Sequence, residues 1–228
     1  MDTMSSHSPG TQRGRRSTAG RGPKEPAPDA EAAILSATEE LLASIPLHDL
    51  SVAQIIERAG ISRATFYFYF ESKFAVVAAL VKQSIAEIYA ASQPTLRSKP
   101  GPERIAALSQ RVRDSARVWD AHRPVLGATV ENWHAYPELR SLWLEMIGGL
   151  TEAIALEIEH DRKGGLAPPG PDPRALAALL AWSTERCLYL IGLEELVPAG
   201  ERDARLDALT QMWLTVMYSD AAANRAAA

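Results

Sequence analysis

An all-α protein is what this chain predicts, on three observations. From Asp29 onward apolar residues recur at three- and four-residue spacings, the period of a helix with one buried face. No alternating Val/Ile/Thr run is long enough to form a strand. Capping residues, prolines and glycines punctuate the pattern at helix-sized intervals.

Each element can be justified in order. The first helix starts from an N-cap at Asp29, carries Ile34, Ala37, Leu41 and Ile45 on one stripe, and is ended by Pro46. The second begins at Ser51, whose pairing with Gln54 makes a capping box, and stops at Gly60, the residue type suited to a left-handed cap. It is only about two turns long. The third is capped by Ser62, with Ile61 and Phe66 at the spacing of a hydrophobic staple. Ser72 caps a longer fourth helix carrying Phe74, Val77, Val81, Ile85 and Ile88. Pro94, Pro100, Gly101 and Pro102 then predict a break and a hinge before a stretch with Ile105, Leu108, Val112 and Trp119. A short helix is expected over 124–135, a long one from Pro137 to Arg162, and two more over Pro173–Val197 and Glu201–Ser219. The division that follows is an arm over 1–28, a helix-turn-helix unit over 29–75, a larger helical domain over 76–220 and a frayed tail over 221–228.

Composition narrows the function classes. The chain has 228 residues, 46% hydrophobic and 23% charged, enough to bury a sizeable core. Cys187 is the single cysteine, so neither a disulfide framework nor a thiolate zinc cluster can form, and the cytoplasm is the expected compartment. No apolar run suits a membrane span or a secretory signal. A net charge of −4 argues against broad nucleic-acid affinity and requires any basic patch to be local. One exists: Arg13, Arg15, Arg16, Arg21 and Lys24 lie between Thr11 and Lys24 with no acid among them. Set among Gly, Pro, Ser and Thr, they predict an arm that is disordered when free, either a solvated tail or an arm that settles on phosphates or in a minor groove.

The segment Ser51–Lys73, SVAQIIERAGISRATFYFYFESK, has the layout of a helix-turn-helix whose second helix lies in a DNA major groove. At 100° per residue Phe66 and Phe70 share one side of that helix and face a three-helix core. The opposite side presents Ala64, Thr65 and Phe68, flanked by Arg63 and Tyr67. Arg63 can take a guanine edge or a phosphate, Tyr67 can donate to a phosphate oxygen, and Phe68 can pack on a thymine methyl. Packing of Phe68 and Tyr69 on the following helix is the competing explanation.

The run Ile56–Lys73 resembles the DNA-binding signature of the TetR family of bacterial transcriptional regulators, and the string TFYFYF after an Arg-rich tail is similar to its mycobacterial EthR-like branch. The resemblance implies a ligand-responsive, homodimeric repressor on a double-stranded operator, with three helices in a DNA-binding domain and six in a larger one. Carried over by position, it makes Arg63, Ala64, Thr65 and Phe68 groove-facing, with phosphate contacts from Ser51, Tyr67 and Lys73. It also implies a pocket for a small hydrophobic ligand lined by Leu108, Val112, Trp119, Trp143, Ile147, Leu150, Thr184, Glu185, Tyr189 and Trp213. Where the branch has two asparagines this chain has Ala181 and Thr184, so a different inducer is expected. Glu185, if buried there, must be paired or protonated.

Surplus apolar residues on the last two helices suggest a four-helix interface between two copies: Leu176, Leu179, Leu180, Leu190 and Ile191, with Leu206, Leu209, Trp213 and Val216. The rival reading is a metal enzyme built on Glu131/His134 and Glu157/His160, since paired Glu-x-x-His motifs make di-iron sites in bundles. The two motifs fall near opposite ends of one helix, roughly 35 Å apart at about 1.5 Å per residue, too far to share a metal. No GxSxG, P-loop or GxGxxG sequence occurs, and no cofactor is expected.

Overall fold

The computed structural model describes residues 29–97, 102–193 and 195–226; the arm over 1–28 lies outside them. Among the described residues there are nine α-helices and no strand: α1 (Asp29–Leu42), α2 (Val52–Ala59), α3 (Arg63–Tyr69), α4 (Lys73–Arg97), α5 (Pro102–Ala121), α6 (Arg123–Asn132), α7 (Pro137–Lys163), α8 (Pro173–Ile191) and α9 (Arg202–Ala226). No single described helix is long and apolar enough to cross a membrane.

The head is built from local signals. Gln54 N donates to Ser51 Oγ at 3.3 Å, and Ser51 N to Gln54 Oε1 at 2.8 Å, closing the capping box of α2. Its other end is a Schellman turn, with Gly60 N donating to Glu57 O and Ile61 N to Ile56 O. Gly60 sits at φ 65°, in the left-handed region that a side chain disfavours. Thr65 N donates to Ser62 Oγ at 3.0 Å, which starts α3. Ile34, Leu47, Leu50, Ile55 and Phe66 bury the apolar faces of α1 to α3 against Val76, Val77 and Leu80 of α4.

Several boundaries differ from expectation. Asp29 is the first residue of α1 rather than its cap, and α1 ends at Leu42, three residues before the expected Ile45. The reason is local: Ile45 N returns to Leu41 O in a closing turn ahead of Pro46. Pro94 does not end α4, which continues to Arg97, and the rest of the expected break, at Pro100 and Gly101, lies outside the described residues. A proline near a helix end removes a single hydrogen bond and is tolerated there. α8 stops at Ile191, where Gly192 caps it, and α9 runs on to Ala226 past the expected fraying point.

α4 spans the expected 75/76 boundary and packs on α1, α5, α6 and α7, so head and body share one continuous core. α7 lies along α8, and α9 closes the bundle over α5. His122, between α5 and α6, ties the two parts together: Nδ1 is 3.0 Å from Glu39 on α1, and Nε2 is 3.3 Å from Glu87 on α4. Burial alone would lower the His122 pKa, but the two carboxylates outweigh it and leave it raised. A raised folded pKa gives stability that is complete below the ordinary value near 6.5 and lost as pH climbs through the folded value. The urea midpoint of the wild type is therefore expected to fall as pH rises above about 6.5, and His122→Gln to flatten that fall. Matching slopes for the two proteins would mean the clamp contributes nothing.

Candidate nucleic-acid interface and internal cavity

α3 sorts its aromatic residues by face. Phe66 is 0% exposed and Phe70 is buried beside it, whereas Phe68 is 65% and Tyr67 45% exposed. Ser62, Arg63 and Ala64 are exposed, and Thr65 is half-buried with its hydroxyl 2.7 Å from Ser62 Oγ. The guanidinium of Arg63 lies 5.4 Å from the Tyr67 ring centroid, which holds the arginine along the outer face. Phe68 contacts Tyr69 edge-on at 5.1 Å between ring centroids, and Tyr69 is the member of that pair that packs on the core. The outer face thus offers a cation, a hydroxyl and an unpacked phenyl ring within two turns, a combination suited to phosphate and base edges.

Lys73 and Ser51 are placed differently. Lys73 Nζ donates to the carbonyls of Leu47, His48 and Leu50 at 2.8, 3.2 and 2.6 Å. All three of its donors are used in closing the turn between α1 and α2, and burial lowers its pKa. It is a brace of the head where an outward phosphate contact was expected. Ser51 is exposed at the N-terminus of α2, with its side chain committed to the capping box.

In the body a cavity of about 90 Å³ opens between α4, α5, α6, α7, α8 and α9. Val112, Trp119, Trp143, Ile147, Leu150, Thr184, Glu185 and Trp213 line it, as does Ala181. Leu108 and Tyr189 do not. Leu108 is fully buried in the core elsewhere, and the Tyr189 hydroxyl donates to Glu131 Oε1 at 2.9 Å, at a second cleft near the α1 end of the body. Trp119 and Trp143 meet edge to face, 6.5 Å between centroids. Trp213 Nε1 donates to Thr184 Oγ1 at 2.8 Å.

The sequence reading missed the cavity's ion pair. Arg111 Nη1 donates to Glu157 Oε2 at 2.7 Å, both side chains buried, with the guanidinium 4.9 Å from the Trp213 ring centroid. A single signal pointed to it, an arginine placed three residues after Leu108 on the apolar stripe of α5. Glu157 therefore serves a salt bridge, and no cluster of metal-ligating side chains occurs among the described residues.

Of the residues expected at a dimer interface, Leu180, Ile191, Leu206, Leu209 and Trp213 are buried within the chain itself. They belong to the continuous core. Leu179 and Val216 are exposed, and Leu176 and Leu190 half-buried. Beside them a shallow groove runs along Cys187, Leu190, Ala208 and Met212. Burial pushes the Cys187 thiol pKa up, as befits a small apolar side chain more than a redox centre.

A head whose outer helix exposes a polar and aromatic face, joined through α4 to a larger helical body, defines a helix-turn-helix regulator. Residues 34–80 match the domain described as bacterial regulatory proteins, tetR family, and residues 108–219 the one described as transcriptional regulator EthR, C-terminal domain. The chain belongs to the TetR family of transcriptional regulators, in its EthR-like branch. It is 30% identical over 223 residues to the HTH-type transcriptional regulator EthR of Mycobacterium tuberculosis (strain ATCC 25618 / H37Rv), covering 96% of this chain and 99% of that one. With the regulator of the same description from Mycolicibacterium smegmatis it shares 31% over 209 residues, 91% and 93% of the two chains. The fold is similar to that of Salmonella enterica GusR, with a TM-score of 0.70 at 17% identity over 85% of this chain and 97% of that one. These relatives are transcriptional regulators, which overturns the metal-enzyme alternative.

Proposed function

We propose that the chain acts in the cytoplasm as a homodimeric repressor on a pseudo-palindromic operator, released by a small apolar ligand. The observation that carries the DNA reading is the division of α3, with Phe66 sealed inside and Phe68 left 65% exposed. Exposure of a phenyl ring is costly for folding and useful for contact with a thymine methyl. Arg63, Ala64, Thr65 and Phe68 are the proposed groove residues, with Tyr67 and the Ser51 end of α2 set toward phosphate. The basic residues from Arg13 to Lys24 add charge for the same backbone.

The apolar cavity supports a ligand buried among Trp119, Trp143 and Trp213. Exposed Leu179 and Val216, with the groove between α8 and α9, support pairing of two copies into a four-helix interface. Two recognition helices about 34 Å apart then read successive major grooves. A ligand that prefers a dimer with other spacing lowers operator affinity, which is coupling by differential affinity.

The test is to sequence genomic fragments retained by the purified protein and to compare variants on cognate and scrambled sites by gel shift. Tyr67→Phe is expected to weaken binding modestly on both. Arg63→Ala and Thr65→Ala are expected to cost about 1–3 kcal/mol on the cognate site and to relax sequence preference. Identical effects of all three on both DNAs would mean α3 does not read bases.

A further inference from the structure

The cavity holds a carboxylate that the protein leaves unsatisfied. Glu185 is 5% exposed, lines the cavity, and neither Oε1 nor Oε2 has a hydrogen-bond partner. The nearest cation, Arg186 Nε, lies 3.9 Å from Oε2, beyond hydrogen-bond reach, on a side chain that is half in solvent. Arg111 on α5 is the only guanidinium lining the cavity among the described residues, and its charge is already engaged by Glu157 of α7 and the Trp213 ring of α9. Tyr89 of α4 also lines it, its phenol pKa raised by burial and so uncharged near neutrality. The cavity's one arginine is therefore engaged by Glu157, and Glu185 has only the loose 3.9 Å ion pair with Arg186 and no hydrogen bond.

Burial of a carboxylate without hydrogen bonds is unfavourable by several kcal/mol unless something supplies the missing donors. Protonation is the empty protein's remedy, and burial does push the Glu185 pKa up, against a smaller opposing pull from Arg186. A ligand can do better by bringing its own cation. We infer that the cavity selects lipophilic amines, molecules whose hydrocarbon part lies among Trp119, Trp143 and Trp213 and whose ammonium group donates to the Glu185 carboxylate. This rests on the cavity being the ligand site and specifies the ligand's chemical class. A neutral ligand forgoes the charge-assisted bond, and an anionic one adds a third negative charge beside Glu157 and Glu185. The position also explains why Glu185 is tolerated on the buried face of α8.

The test uses the full chain and three probes of equal length, decylamine, decan-1-ol and decanoate, titrated against tryptophan fluorescence at pH 7.5. The amine is expected to bind about tenfold tighter than the alcohol, as one charge-assisted hydrogen bond in a buried site allows. Glu185→Gln is expected to remove that advantage while leaving the alcohol within about twofold. Decylamine stays protonated through neutrality, as a lysine side chain does, so its wild-type affinity should rise with pH from the ordinary carboxylate value of 4.5 upward as Glu185 ionises while the alcohol's stays level; this readout does not depend on the variant's folding. If the alcohol binds as well as the amine, if decanoate binds best, or if the amine's affinity does not change with pH, charge selection is overturned and the cavity remains a ligand site. If none of the three binds, the ligand-site reading falls together with it.

Discussion

Replacing Phe66 by alanine is expected to destabilise the protein by about 3–5 kcal/mol, the usual cost of emptying a fully buried aromatic site. Phe66 is 0% exposed and sits 6.3 Å from the Phe70 ring centroid inside the head. The loss should not stay in the head, because α4 carries the same apolar core into the body. For a chain of this size each kcal/mol moves the thermal midpoint by roughly 2–4 °C, so a fall of order 10 °C is expected by calorimetry. Phe68→Ala, two residues along the same helix, provides the contrast. Its ring is exposed, so the midpoint should move by less than about 2 °C, while affinity for a cognate DNA site drops. A large midpoint shift from Phe68 with none from Phe66 would invert the face assignment of α3, and the DNA-reading proposal would fall with it.

The head was legible because its signals are local. Ser51 and Gln54 are three residues apart, Gly60 needs only its own φ, and the 66/70 spacing fixes which side of α3 turns inward. Lys73 shows where such reasoning stops. Its position at the start of α4 matches a phosphate contact, yet the carbonyls that take its protons belong to residues 23 to 26 positions earlier. No periodicity encodes that meeting. The cavity was legible mainly through resemblance, since large apolar side chains fill cores and line pockets alike. Leu108 and Tyr189 show the limit, both apolar in pattern and both directed away from the space that Val112 and Glu185 share. The residues expected at a dimer interface divide between the chain's own core and its surface. Leu180, Leu206 and Leu209 are buried inside the chain, where α8 packs chiefly on α7 and α9 on α5, while Leu179 and Val216 stay exposed, and an apolar pattern alone does not say which neighbour covers a residue.

The Arg111–Glu157 pair is 46 residues apart in sequence, and neither member by itself names the other as its partner. Buried together they carry the other large expected effect. Arg111→Met removes the cation and leaves Glu157 ionised in an apolar wall, and cutting a buried pair in this way costs about 3–5 kcal/mol. Arg111→Met combined with Glu157→Leu removes both charges at similar volume, and such double replacements are commonly neutral or stabilising. Urea unfolding of the two single variants, the double variant and the wild type closes a double-mutant cycle. A destabilised single variant substantially rescued in the double is the expected pattern. Additive losses would mean that Arg111 acts through its stacking on Trp213, 4.9 Å away, and that the ion pair itself is energetically idle. The same set separates stability from sensing. With both charges gone, Glu185 becomes the only ionisable carboxyl lining the cavity among the described residues, so an amine that depends on Glu185 should keep its preference over an alcohol in the double variant. If that preference disappears with the pair, the cation is being held at Glu157.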